Sequence, residues 1–256
     1  MTDHSESADA TAPFRWRNCR ADIDAARHDQ TIELYLSDVV LPALETLNTR
    51  IALLGVSDDW GDAFLQGEVE EVLIETKLAF GLAVQSLWER QFRAYLKACA
   101  RELRPETNMD RKLEKADWAE LIDHFRRLRG IRLEAFPSFT ALDTLQHLGN
   151  ACRHGDGASA RELRTRCPDF WRPSEPLPDW LGPSEPLPLT VSMIDLPVAR
   201  LKEFVAAIAG FWRDAGYIYN ESIACKHEGL IKRLGQDRRE RTWLPTMSLA
   251  DPGRVE

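Results

Sequence analysis

Residues 137–157 read PSFTALDTLQHLGNACRHGDG, and their spacing sorts them onto two faces of one helix. At about 100° per residue, Ala141, Leu145, Leu148 and Cys152 share a stripe, while Asp143, His147, Asn150 and His154 share the opposite one. The first stripe predicts a core-facing surface. The second predicts a polar surface carrying two of the chain's six histidines. Pro137 and Ser138 open the helix, and Gly155 and Gly157 stop it just past His154, which places that imidazole in the last turn.

The same period runs outward on both sides. Upstream, Ile32, Leu36, Val39, Val40, Leu44, Leu47, Ile51 and Leu54 predict a helix over 31–54 that Pro42 kinks or divides. After a turn at 55–61, residues 60–103 are helical throughout by pattern. An unbroken helix of that length spans about 65 Å at 1.5 Å per residue. Gly67 and Gly81 each weaken it by roughly 1 kcal/mol relative to Ala and mark places for a bend. Residues 110–129 predict a shorter, highly charged helix with Leu113, Trp118, Leu121, Ile122 and Phe125 turned inward. Downstream, 167–189 is proline-rich and contains PSEPLP twice, which predicts an extended polyproline II loop, either a surface linker or a docking segment. A last long helix is expected over 195–232, with Lys226 and His227 as partners of its dipole.

No run alternates apolar and polar residues as a strand does, so the expected fold class is all-α. The expected architecture is an up-and-down bundle of four to five long helices, with the proline-rich loop before the last. It forms one domain over 29–240, between a flexible N-terminal tail, 1–28, and a C-terminal tail, 241–256. Within the first tail, Phe14 and Trp16 are apolar enough to dock somewhere.

Hydrophobic residues make up 44% of the chain, enough for a sizeable core. The five cysteines are odd in number and scattered without a CxxC pair, which indicates neither a disulfide framework nor a zinc ribbon and suits a reducing cytoplasm. Charged residues interrupt every long apolar stretch, so no membrane span is expected. The net charge of −8 arises within the first 100 residues, which hold 17 acidic against 9 basic side chains. Residues 124–172 are mildly basic, with nine Arg against five acidic residues and three His; such a segment suits either a phosphate backbone or a face of local ion pairs. The absence of GxxxxGK[ST], of a strand followed by GxGxxG, and of GxSxG leaves nucleotide hydrolysis, dinucleotide redox chemistry and α/β-hydrolase chemistry without a basis.

Within the opening stretch, LGNACRHGDG resembles the motif helix of the HEPN superfamily, the helical bundles of many prokaryotic toxin and defence proteins, which reads roughly Arg-Asn-x-x-x-His-Gly. Asn150, His154 and Gly155 match it. Residues 144–171 also resemble bacterial proteins with the pattern ELRLVANAVKHGEG followed by a basic ELRxxxPDLF segment, and LWERQFRAYLK at 87–97 is similar to the glutamate-bearing helix of HEPN bundles. The resemblance implies a cytoplasmic homodimer whose motif helices meet at the two-fold axis, where RNA is cut without a metal or cofactor. It implies His154 as general base or acid, Asn150 to orient it or bind phosphate, and an Arg to stabilise the phosphorane.

The motif Arg is Gly149 here. Arg153 is the nearest substitute, at a different angle on the helix, and Asp143, His147, Arg161, Arg164 and Arg166 are the candidate substrate-binding groups. The expected function is a HEPN-like protein of phage-defence or toxin–antitoxin type, non-catalytic or weakly catalytic, that binds RNA or a partner protein from the same operon. Two alternatives stand beside it: an active metal-independent endoribonuclease using His154 in a composite dimer site, and a structural or regulatory partner subunit. For single residues, His154 also fits a helix-end histidine bonded to a carbonyl or buried at a dimer seam. Asn150 also fits an amide satisfying a neighbouring backbone. A metal held by Asp143, His147 and His154 is a further reading of the spacing, and Cys152 belongs to the core.

Overall fold

The computed structural model describes residues 10–172 and 190–251. In chain order its helices are α1 (Arg20–Asp24), α2 (His28–Tyr35), α3 (Leu41–Leu54), α4 (Trp60–Leu103), α5 (Met109–Lys115), α6 (Trp118–Arg129), α7 (Phe139–His154), α8 (Ala158–Arg166), α9 (Val198–Ser222) and α10 (Glu228–Glu240). The chain is all-α: among the described residues, β pairing is limited to the isolated bridges Pro13–Thr246, Ile131–Ala250 and Trp171–Ile194. No helix among these residues is long and apolar enough to cross a membrane. The repeated PSEPLP lies outside the described residues.

Local chemistry explains where the helices break. Pro42 has no N–H to donate, and the helix begun at His28 widens into a π-helical turn, Leu36–Val40, before α3 resumes with the proline in its first turn. α4 runs continuously through Gly67 and Gly81. The single helix expected over 110–129 is divided, because Asp117 and Glu120 form a reciprocal capping box that starts α6 afresh: Glu120 N donates to Asp117 Oδ1 at 2.9 Å and Asp117 N to Glu120 Oε2 at 2.8 Å. The guanidinium of Arg93 takes up the carbonyls of Leu113 and Ala116 at the end of α5. The last expected helix is divided as well. The Lys226 ammonium donates to the carbonyls of Glu221 and Ile223 and closes α9, whereas His227 opens α10, its Nδ1 accepting from Gly229 N at 3.1 Å. Lys226 therefore serves a helix C-terminus, and His227 serves the N-terminus of the next helix instead.

The chain forms two compact units, one comprising Met1–Gln30, Glu89–Thr140 and Ala207–Glu256, the other Thr31–Trp88 and Ala141–Ala206. The first has an aromatic centre in which Phe92, Phe125, Phe136 and Phe211 lie with ring centroids 5.1–5.9 Å apart. Segments expected as tails pack into this unit over their described residues. Phe14 is fully buried and Trp16 nearly so, Trp243 lies 5.0 Å from Phe136, and Phe14 N donates to Pro245 O. A buried carboxylate, Glu221, receives two hydrogen bonds at 2.8 Å from Arg238 and one at 2.9 Å from Tyr217.

The second unit buries Leu44, Val84 and Trp88 of the early helices, Leu145, Leu148 and Ala151 of α7, and Leu201, Phe204 and Val205 of α9. Near it, Lys77 pairs with Asp195. The candidate residues all lie in this unit.

Candidate functional site

α7 buries Leu142, Leu145, Leu148, Gly149 and Ala151, so its inward line lies beside the expected stripe and takes in the glycine. Cys152 is half-buried, and burial pushes its thiol up to about 11, which leaves it protonated and a poor nucleophile at neutral pH. Two polar residues, Thr144 and Gln146, are also buried. Gln146 faces a second glutamine: Gln85 of α4 is completely buried and donates through Nε2 to Gln146 Oε1 at 2.8 Å.

This glutamine pair gives Gly149 its reason. A Cβ at position 149 would sit 2.6 Å from Gln85 Cγ and 2.7 Å from its Cδ, closer than real Cβ atoms come. α4 and α7 touch through the missing side chain. Position 149 is thus turned into the unit, against a fully buried side chain.

Arg153 occupies the other side of the same amide. Its Nη2 donates to Gln85 Oε1 and, at 3.1 Å, to Ser86 Oγ, which ties the exposed Arg153 side chain to α4. A charge-assisted bond to a buried carbonyl oxygen is a strong positional restraint.

The start of the polar stripe is an ionic cluster. Arg166 of α8 donates to Asp143 at 2.6 Å and to Glu162 at 2.7 Å, and these hydrogen bonds, Asp143's first, hold it protonated above its ordinary range. His147 Nε2 lies 3.9 Å from the same Asp143 oxygen, and its Nδ1 is buried without a hydrogen bond among the described residues. Asp143, His147 and Arg166 therefore come together. Arg161 is exposed and Arg164 half-exposed, and no ion pair among the described residues joins either to that cluster.

At the far end, His154 is exposed and is the last residue of α7. Gly155 follows with φ +73°, the left-handed conformation that ends a helix, and its N–H closes on Ala151 O at 2.9 Å. Beyond it, Asp156 Oδ1 accepts from Val191 N at 2.7 Å and holds the loop before α8. Among the described residues, neither the His154 imidazole nor the half-exposed Asn150 amide is hydrogen-bonded. Nor does any group of three His, Cys, Asp or Glu side chains among these residues converge to hold a metal; Arg166, not a histidine, is the close partner of Asp143.

The basic stretch 124–172 is largely a set of local pairs. Within the first unit Arg126 and Arg127 bind Asp123, and Arg129 binds Asp22; within the second, Arg166 binds Asp143 and Arg172 binds Glu71. Sequence reasoning missed Gln85, Ser86 and Gln146. The available signal was a glutamine inside the apolar run LAVQSLW and a second one next to Leu145 on the motif helix. Comparisons with protein-family models, with curated proteins and with solved structures each return no match.

Proposed function

We propose that this protein is a HEPN-like helical bundle of bacterial defence or toxin–antitoxin type, acting in the cytoplasm as a homodimer through α7. In this reading it is a non-catalytic or weakly catalytic module that binds RNA or a partner protein. The observation that carries it is the contact between Gly149 and Gln85: the motif Arg is absent, and its position has no room for a side chain. The obvious substitute, Arg153, is engaged with Gln85 and Ser86. A phosphorane left without a guanidinium loses the electrostatic stabilisation that dominates such catalysis. In this reading the exposed end of α7, carrying Asn150 and His154, is the binding surface, and Arg161 and Arg164 of α8 are its basic groups.

The competing reading is an active metal-independent endoribonuclease, and the exposed imidazole of His154 at the end of α7 is what favours it. Purified wild type and His154→Ala, incubated with total RNA in EDTA, separate the two. The expected result is intact RNA in both samples. Cleavage by wild type that disappears in the variant would overturn the binding-module reading.

A further inference from the structure

Cys19 and Cys99, 80 residues apart, lie with their sulfurs 3.5 Å from each other in the first unit. Cys19 is 6% exposed and Cys99 is fully buried. Arg129, itself buried, donates from one Nη1 toward both sulfurs, at 3.6 Å and 3.8 Å. Its guanidinium is held in place by Asp22, by the Trp16 ring 3.7 Å away and by the Arg17 carbonyl. Asp22 is positioned in turn by Tyr95 Oη and by the backbone N–H of Cys19, both at 2.9 Å. A cation thus faces two thiols in a buried site where Cys19 keeps a small exposed surface.

We propose that Cys19 and Cys99 are a redox pair that closes to a reversible disulfide, tying the N-terminal segment covalently to α4. A disulfide requires sulfurs about 2.05 Å apart, so the pair must approach by about 1.5 Å, a movement within reach of side-chain rotation. The two thiols are chemically unequal. The hydrogen bond with Cys99, and then the charge of Arg129, hold the Cys19 thiol below its ordinary value despite burial. The same hydrogen bond and burial push the Cys99 thiol up. Of the two, Cys19 is accordingly the more readily ionised and the attacking sulfur, and Cys99 the resolving one.

With a hydroperoxide as oxidant, the Cys19 sulfur attacks one peroxide oxygen. An S–O bond forms, the O–O bond breaks, and the departing hydroxide takes a proton to become water. The Cys99 sulfur then attacks the Cys19 sulfenic acid: the S–S bond forms, the S–O bond breaks, and the proton leaving Cys99 converts the second hydroxide to water. Two thiols lose two electrons in all, and one peroxide gains them. An external dithiol reverses the change by exchange.

The test uses the full chain carrying Cys225→Ser, which removes the exposed thiol. The native protein is treated with a small molar excess of hydrogen peroxide, alkylated in denaturant, digested without reductant and mapped by mass spectrometry. The expected product is one peptide pair joined through Cys19 and Cys99, which dithiothreitol releases, accompanied by a higher melting temperature. In Cys99→Ser, the sulfenic acid should persist at Cys19 and be trapped by dimedone. Recovery of both cysteines as free thiols, linkage to Cys152 or Cys167, or linkage only after unfolding would each overturn the proposal. The mapping of the Cys225→Ser protein reads the result even if Cys99→Ser does not fold. The inference does not depend on the HEPN reading.

Discussion

Replacing Gly149 with alanine asks for one methyl group where the structure has no space. The new Cβ would meet Gln85 Cγ at 2.6 Å, Cδ at 2.7 Å and Oε1 at 2.9 Å. Gln85 cannot simply swing away, since Gln146 holds its amide nitrogen and Arg153 its oxygen in a fully buried setting. On the favourable side, a helical Gly→Ala change gains about 1 kcal/mol. Against it stand overpacking, at about 1–3 kcal/mol, and the strained or lost bonds of a buried amide, at about 1–3 kcal/mol. The net expectation is a loss of about 3 kcal/mol, or a melting temperature lower by about 6–12 °C in a chain of this size. Gly67 supplies the control: a Cβ there meets nothing within 4 Å, so Gly67→Ala should leave stability unchanged or raise it by up to about 1 kcal/mol. Thermal and urea unfolding followed by circular dichroism measure both, and the cost of Gly149→Ala should shrink in a Gln85→Ala background. A Gly149→Ala protein as stable as Gly67→Ala would refute the close contact, and with it the structural reason for a glycine at position 149.

Burial raises Asp214 to about 6 in spite of its pairing with Arg241. The folded protein therefore binds this proton more tightly than the unfolded chain, and the associated stability is present below about pH 4 and lost as pH rises through 6. Relative to Asp214→Asn, wild type should lose stability between pH 4 and 6, with a constant difference above; melting curves across that range that run parallel for the two proteins would contradict the assignment. Arg129→Met leaves the buried Asp22 carboxylate without its cation, and removing one partner of such a pair costs about 3–5 kcal/mol. The loss should appear as a lower urea midpoint and as fast hydrogen exchange over α1; a stable variant with a protected α1 would show that the ion pair does not hold the N-terminal segment.

Periodicity located α4 from Trp60 to Leu103 because 44 residues repeat one pattern without an internal cap, and propensity and burial there agree. It overran at 110–129 and 195–232, where a cap outweighs the period. The Asp117–Glu120 box has a legible signature, D-x-x-E, within a charged run that reads as continuous helix. The His227 cap has none, since an imidazole nitrogen is an uncommon acceptor at that position. In the candidate site, the exposure of His154 follows from the polar stripe and from Gly155. The cluster of Asp143, His147 and Arg166 needed the turn into α8, which carries Arg166 back beside the start of α7.

The helical class, the two faces of α7, its end at Gly155 and the glycine at position 149 are local properties, set by spacing and by single residue types, and a reader of the chain reaches them without coordinates. The partners of those faces are a different matter. That Gly149 is a contact point follows from the close approach of α4, 64 residues earlier, and that Arg153 is occupied follows from a bond to Gln85 across 68 residues. Cys19 and Cys99 meet across 80 residues, with Arg129 a further 30 along the chain from Cys99. Helical period says which way a side chain points, but contacts at such separations depend on which helices pack together and at what height, and that is a property of the assembled core.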